Sequence, residues 1–377
     1  NDCDGATDEV DGVADGTTYY ADTDGDTYGD AGSTVSACSV PSGYVENDYD
    51  CDDGDTAEPR VADATSGSSS GDGSYGAPYD TIQAAIDAAN QCVIALEGTY
   101  DEYNIDLGGK SLDVWGVAGW ADTVIDPRLS TCNYTNPTDC APVFIMDSGG
   151  GATPYVHGFT VSGGTGYGEQ STTTTTCADS DPSHGEDESC SVTTWRFCGG
   201  GAYVNGDDPT FGDVVFTDND LPDFDQVTTG SWSQTWIYSF GGGVCAIDSI
   251  ATVEDSWFVD NSADQGGGAY AGSSTTMAVS GSWFDDNAAS DGAAVASADS
   301  SVSLSGSILA CNVATTDGGG LYTESSGTNS AYNSVLYGNT AGTASTNGSQ
   351  IYVGSGSTTA VTYSISWGNT SSPLFYA

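Results

Sequence analysis

Residues 241–287 read GGGVCAIDSIATVEDSWFVDNSADQGGGAYAGSSTTMAVSGSWFDDN, and this stretch carries one pattern twice. A glycine run, at 241–243 and again at 266–268, is followed about 18 residues later by Phe-x-x-Asn, first Phe258 to Asn261 and then Phe284 to Asn287. Outward from here, glycine runs recur at 199–201, at the degenerate Gly292 and at 318–320. The partner motif recurs at Phe216 and Asn219, Leu309 and Asn312, Leu336 and Asn339, and in degenerate form at Ser366 and Asn369. From Asn261 onward the asparagines stand 26, 25, 27 and 30 residues apart. That period is far too long for a coiled coil and suits one turn of a solenoid.

Aligned on the glycines, the coils place Ala202, Val244, Ala269, Val295, Leu321 and Ile351 in one column and Tyr203, Cys245, Tyr270, Ala296, Tyr322 and Tyr352 in the next. Neighbouring strand residues point to opposite faces, so the aliphatic column is predicted inside and the tyrosine-rich one outside. A second strand supplies the interior column Val253, Val279, Leu304, Ala331 and Val361. Two insertions break the repeat: one near 165–198 carries the threonine tract 172–176, and one near 220–240 carries Trp232 and Trp236. Upstream, Asp80 and Gln83 have capping-box spacing before the apolar face Ile82, Ala85, Ile86 and Ala89, which predicts one short helix within 78–90. Short strands are expected at 93–96, 105–107, 112–115 and 123–125. The expected organisation is an acidic module over 1–60, a flexible Ser/Gly/Asp-rich linker over 61–77, and an all-β parallel solenoid over 78–377 whose open end the helix caps. About nine coils would give a length on the order of 45 Å.

Charge narrows the function. Against 54 acidic residues stand four basic ones, a formal net charge of -50. Nucleic acid, anionic lipid head groups and polyanionic glycans are repelled by such a chain, which argues against nucleic-acid binding and direct membrane insertion. Aspartate outnumbers glutamate 44 to 10, favouring tight turns and oxygen-lined cation loops over exposed helix faces. Divalent cations, above all Ca2+, are the expected partner; a saline habitat is the competing explanation of the acidity. Eleven cysteines point to an oxidising, extracellular or bacterial cell-surface location. Close spacing makes Cys132 with Cys140, and Cys177, Cys190 and Cys198, disulfide candidates. With no signal peptide or long apolar span visible, the chain is read as a mature or trimmed piece of a secreted precursor.

Residues 80–126, with VIALEGTYDE and the following LGGKSLDVWG, resemble the start of pectate-lyase-like right-handed β-helix proteins, and the later glycine and Phe-x-x-Asn repeats are similar to those of the polymorphic outer-membrane protein family. Together these resemblances cover about 78–370 and imply a right-handed parallel β-helix. The segments NDCDGATDEVDG, YYADTDGDTYGD and ACSVPSGYVENDYDCDDGD resemble the metal-binding repeats of large secreted bacterial proteins. That resemblance implies calcium loops akin to thrombospondin type 3 repeats, with Cys38 paired to Cys51.

The residues themselves support cation loops, because an extended turn presents every second side chain to one ion and a backbone carbonyl completes the shell. Asp22, Asp24, Asp26 and Asp30 fit ligand positions, with Tyr28 lending its carbonyl; Thr27 replaces the usual glycine and no bidentate glutamate closes the loop, so it is not an EF-hand. Asp48, Asp50, Asp52 and Asp55, with Asp53 beside them, form a second set, and Asp2, Asp4 and Asp8 the remainder of a third.

No catalytic constellation stands out. A uronate lyase needs an arginine or lysine near bound calcium, and the solenoid offers Lys110, Arg128 and Arg196. A glycoside hydrolase needs two carboxylates facing one groove. Asp218, Asp260 and Asp286 stack from coil to coil, and this column can be catalytic, calcium-binding or simply turn-forming. Neither His157, in an expected strand, nor His184, in a loop, has a nucleophile or metal-ligand spacing around it. The expected role is therefore structural or adhesive: a calcium-stabilised β-helix that stacks head to tail into filaments or meets a surface or matrix partner. Tyr203, Tyr270, Tyr322, Tyr352, Trp232 and Trp236 are its candidate partner surface, the other reading being that these aromatics pack under the insertions. The alternative is a carbohydrate-binding or polysaccharide-degrading protein using the aromatic insertions. Asn133, Asn347 and Asn369 lie in glycosylation sequons.

Overall fold

A computed structural model describes residues 16–51, 58–127, 140–177, 188–222, 225–228, 233–342, 348–368 and 375–376. Its repeating part winds through three parallel sheets of nine, ten and nine strands. One coil shows how the sequence does this. Val244–Ile247 lies in the glycine-run sheet, Ile250–Glu254 in the second sheet and Trp257–Val259 in the third; Ser262–Gln265 then enters a fourth, flanking sheet before the next glycine run. The solenoid is all-β and parallel, as its period implies.

Both predicted interior columns are real ladders. Ala202, Val244, Ala269, Val295, Leu321 and Ile351 pair in register and are almost fully buried. Val253, Val279, Leu304 and Ala331 do the same in the second sheet, whereas Val361 at the end of that column is 40% exposed. The phenylalanine motif supplies the third inner wall, where Phe216, Phe258 and Phe284 stack with centroids 4.9 and 4.4 Å apart.

Each turn has its own chemistry. The first residue of the glycine run, at Gly199, Gly241, Gly266, Gly292 and Gly318, has φ between 61 and 66°, a left-handed conformation that glycine adopts without steric cost. The next two positions lie against the neighbouring coil's backbone, and Gly292, followed by Ala293 and Ala294, keeps only the position where φ is positive. At the turn leaving the third sheet the motif asparagines form a fully buried amide ladder. Nδ2 donates to Oδ1 of the next coil from Asn219 to Asn261, Asn287, Asn312 and Asn339, at 2.9, 3.0, 2.9 and 2.8 Å. A serine ladder marks the turn before the third sheet, where the backbone N–H groups of Val214, Ser256, Ser282, Ser307 and Ser334 donate to Oγ of Ser256, Ser282, Ser307, Ser334 and Ser364. These side chains satisfy backbone groups that the turns would otherwise orphan.

The amino-terminal parts depart from the sequence reading. Arg60–Ala62 is already a strand of the second sheet, paired parallel with Cys92–Ala95, so ladder pairing begins at 60 rather than 78. The stretch expected to be a flexible linker is a hydrogen-bonded loop, closed by Asp63 N to Tyr79 O and Ser68 N to Pro78 O at 2.9 and 3.0 Å. The helix, Ile82–Ala88, is capped by Thr81 rather than Asp80, with Oγ1 accepting from Ala84 N. Glu102 reaches from outside to accept the N–H groups of Ile82 and Gln83, and Lys110 Nζ donates to carbonyls of Ile86, Asp87 and Ala89 at the far end. A carboxylate at the N-terminus and an ammonium at the C-terminus complement the helix dipole.

The acidic module is a three-stranded antiparallel sheet of Thr17–Ala21, Asp30–Ala37 and Tyr44–Val45. Tyr28 anchors it, buried against Val61 and Ile94 with its hydroxyl accepting from Tyr75 N at 3.0 Å. The expected Cys38–Cys51 bond is corrected: Cys51 pairs with Cys92 on the first full coil, because its loop packs on the outer face of the second sheet. Cys38 is engaged in a disulfide of its own.

Candidate functional site

The two insertions do not merely interrupt the repeat; they build the flanking sheet. Tyr167–Cys177 and Glu188–Cys198 form a long hairpin, Ser233–Phe240 pairs with it, and the coil strands Ser262–Gln265, Ala288–Asp291 and Val313–Asp317 continue the sheet. The β-branched and aromatic residues of 192–197 and 235–240 are the sequence signal that could have shown these as strands.

This sheet leans over the outer face of the glycine-run sheet, so of the two readings of the tyrosine column the structure takes the one in which it packs beneath other strands. Tyr203 is 1% exposed and Tyr322 8%, while Tyr270 and Tyr352 are half-buried. Tyr203 stacks on Tyr167 at 4.4 Å and Tyr322 on Tyr352 at 5.1 Å, while Tyr270 meets Phe240 tilted at 4.8 Å. The Cys198–Cys245 disulfide joins two coils beneath them. Trp236 is half-buried in Ser233–Phe240, and Trp232 lies outside the described residues.

Between the tyrosines and the flanking sheet runs a cleft of about 810 Å³. Tyr203, Tyr238 and Tyr270 line it together with the carboxylates of Glu169, Asp264, Asp291 and Glu324, and Arg196 stands exposed at its side. The tyrosine hydroxyls are tied to these acids: Tyr322 Oη donates to Glu324 Oε2 at 2.8 Å and Tyr203 Oη to Glu169 Oε1 at 3.4 Å. Gln265 Nε2 donates to the other Glu324 oxygen at 3.4 Å, and Asp264 accepts from Ser239 N at 2.9 Å. Burial pushes the Tyr270 hydroxyl up to about 12. Asp291 and Asp317 are in-register neighbours on adjacent strands, and desolvation, with Asp317 second, raises the Asp291 carboxyl to about 6.

That shift has a consequence for stability. An unfolded Asp291 ionises near 3.8 while the folded one holds its proton until about 6, so its contribution to stability is lost as pH rises through that window. Asp291→Asn is expected to raise the melting temperature above pH 6 and to leave it unchanged near pH 4, as measured by thermal denaturation across pH.

A second site lies in the acidic module. One oxygen from each of Asp22, Asp24 and Asp26 falls within 4.8 Å of the others. The loop itself holds one oxygen of each: Asp22 Oδ1 accepts from Gly25 N, Asp24 Oδ1 from Asp26 N and Asp26 Oδ1 from Tyr28 N, at 2.8, 3.1 and 2.8 Å. Asp24 Oδ2 and Asp26 Oδ2 are buried without a hydrogen-bond partner, and Asp26 is only 8% exposed. Buried, unpartnered carboxylate oxygens facing one another fit a hard divalent cation. Asp30 stands outside this group, its Oδ1 accepting from Gly32 N. Asp48 and Asp50 join no group of three ligands among the described residues, and Asp2, Asp4, Asp8, Asp52, Asp53 and Asp55 lie outside those residues.

The aspartate column at the asparagine turn is exposed, and Asp218, Asp260 and Asp286 have φ of 53, 56 and 53°. Aspartate is among the few residues that tolerate this conformation, and Cys311 and Gly338 take the same position in later coils with φ of 57 and 66°. The turn chemistry accounts for the column. His157 sits in its expected strand, with Nε2 2.8 Å from Asp113 Oδ1 and its ring between Tyr155 and Trp115. Cys140 is disulfide-bonded. Cys177 and Cys190 lie on the hairpin strands, while Cys132, His184, Asn133, Asn347 and Asn369 are outside the described residues. No helix among the described residues is long and apolar enough to cross a membrane.

No protein-family model matches the chain, and no curated protein matches it. Among solved structures, a GH136 lacto-N-biosidase from Eubacterium ramulus, crystallised as a selenomethionine derivative, aligns with a TM-score of 0.32 and 9% identity, covering 81% of this chain and 55% of that one. At that score the likeness carries nothing about function, and the parallel β-helix is established by the chain's own strand ladders.

Proposed function

We propose that this chain is an extracellular, calcium-stabilised β-helix that binds saccharide in the cleft beneath its flanking sheet. The cleft itself carries the reading: the half-buried Tyr238 and Tyr270 present apolar ring surface to sugar rings, and the carboxylates, amide and guanidinium beside them can exchange hydrogen bonds with hydroxyls. The two insertions extend the flanking sheet beyond the coil strands and enclose this space. Two inter-coil or inter-module disulfides support an oxidising compartment. Titration of the purified chain with a panel of oligosaccharides, followed by calorimetry, is expected to find binding that Tyr270→Ala weakens by at least about tenfold, or about 1.4 kcal/mol. Absence of binding across the panel would overturn the proposal.

Asp22, Asp24 and Asp26 are the residues we assign to Ca2+, which would neutralise their facing oxygens and stiffen the loop joining the first two strands of the module. Calcium is then expected to raise the module's melting temperature through mass action. Asp26→Asn should weaken calcium affinity by about tenfold or more, and Asp30→Asn should change it little, since only the first belongs to the converging group. Equal effects of the two substitutions in a calorimetric titration would contradict that assignment.

A further inference from the structure

We infer that a second copy of this chain docks on the outer face of the third sheet across its last three coils, forming a twofold dimer. Strand alternation turns the first and third residues of each third-sheet strand outward, opposite the buried Leu309 and Leu336. The first positions run Ile308, Val335 and Ile365 from coil to coil, and the third positions end in Tyr337 and Trp367, whose rings stack at 5.3 Å. This outer face is apolar, and it stands open: Ile365 and Trp367 are 56 and 51% exposed. The other two outer faces have no such need of a cover. The flanking sheet lies over the first, and the second presents Thr276, Ser301, Thr328 and Thr358 in register, whose hydroxyls suit water.

Charge marks the same place. All 54 acids and all four bases fall within residues 1–324; at that density of one acid in six, residues 325–377 would carry about nine, and they carry none. The change shows at the two turns that border the third sheet. The left-handed position before its strands is held by Asp213 and Asp255 in early coils and by Gly306, Asn333 and Tyr363 in the last three. The left-handed position after them is held by Asp218, Asp260 and Asp286, then by Cys311, Gly338 and Gly368. The acids withdraw from both borders where the apolar face is left open. Tyr363 is an independent sign. With φ of 52° it is a bulky residue in a conformation that Asp, Gly or Asn adopts at lower cost in the other coils, and its ring is 80% exposed, edge-on to Tyr332 at 5.7 Å. A strained residue whose ring stays in water gains little within one chain and points to a contact made outside it.

The absence of charge identifies the occupant. A basic partner would be drawn to the acid-rich coils instead. A second copy brings the same net charge of -50, so two copies can meet only where neither surface presents an acid. This face meets that condition for both at once, since a twofold contact sets the same patch against itself. Two sheets packed face to face bury such residues as a sandwich core does. The contact is closed, unlike head-to-tail stacking, which adds copies without limit.

Sedimentation velocity of the purified chain over a dilution series tests this. A dimer is expected to appear as concentration rises toward about 0.1 mM. It should tighten by at least about tenfold between low salt and about 1 M NaCl, because screening removes the repulsion between two acidic bodies and leaves the apolar contact. Ile365→Glu, at an exposed position, puts one charge on each side of the contact and should weaken the dimer by at least about tenfold. Tyr363→Asn installs the residue that the preceding coil uses at this turn: it should raise the melting temperature of the monomer while weakening the dimer, a pairing that a structural role for Tyr363 would not give. A chain that stays monomeric at every concentration and salt would overturn the proposal, as would a dimer indifferent to both substitutions. A monomer in which the same substitutions abolish binding of an uncharged oligosaccharide would assign the face to saccharide and overturn it too.

Discussion

Asn287→Ala is expected to lower the stability of the solenoid by at least about 3 kcal/mol. Asn287 is fully buried and sits mid-ladder. Its Oδ1 accepts from both the backbone N and Nδ2 of Asn261 at 3.1 and 3.0 Å, and its Nδ2 donates to Phe258 O at 2.8 Å and Asn312 Oδ1 at 2.9 Å. Truncation leaves two donors of Asn261 and the Phe258 carbonyl on one neighbouring coil, and the Asn312 amide oxygen on the other, without partners in a site closed to water, and each such orphan costs about 1–3 kcal/mol. Asn287→Asp keeps the shape but turns the donor end into an anion facing the Asn312 oxygen, so it should destabilise at least as much. Ser303→Ala, on the exposed face of the second sheet, is the matched control and should stay within about 0.5 kcal/mol. Chemical denaturation of the three variants checks the ranking.

Phe258→Ala is the corresponding apolar loss, expected at about 3–5 kcal/mol. The ring is fully buried and lies between Phe216 and Phe284, nearly parallel to the second with an interplanar angle of 3°. Alanine would leave a cavity one ring deep, and the coils on either side are held at ladder spacing by their backbone bonds, so collapse cannot fill it. The chain itself shows what the site tolerates: Leu309 and Leu336 occupy the same column in later coils, both fully buried. Phe258→Leu should therefore cost about 1.5 kcal/mol or less. A leucine variant as unstable as the alanine variant would mean that ring stacking, rather than filled volume, holds the coils together.

These two residues also show why the solenoid could be read from the chain. An interior position must be apolar in every coil, and a turn that uses an amide ladder must have asparagine in every coil, so the requirement is rewritten every 25 to 30 residues and survives degenerate copies. The serine ladder obeys the same logic in Ser256, Ser282, Ser307, Ser334 and Ser364, but serine is so common in loops that its repetition passes unnoticed. Features that depend on what covers a coil were not legible. The tyrosine column does point away from the interior, yet its burial is decided by two insertions far off in sequence. Cys51 has Cys38 nearer in sequence and Cys92 nearer in space, since Tyr28 docks the acidic module on Ile94. Of the cation loop, the alternation of Asp22, Asp24 and Asp26 was visible, whereas the exclusion of Asp30 depends on the bend at Thr27, with φ of 83°. The cleft joins Glu169 to Glu324 across several coils and one hairpin, and no local pattern announces it.

A crystal structure of the chain grown with calcium and soaked with an oligosaccharide that binds in calorimetric titration bears most directly on saccharide binding. Density for sugar rings against Tyr270 is the predicted result; ordered sugar anywhere else on the molecule, with the cleft holding water alone, would contradict it.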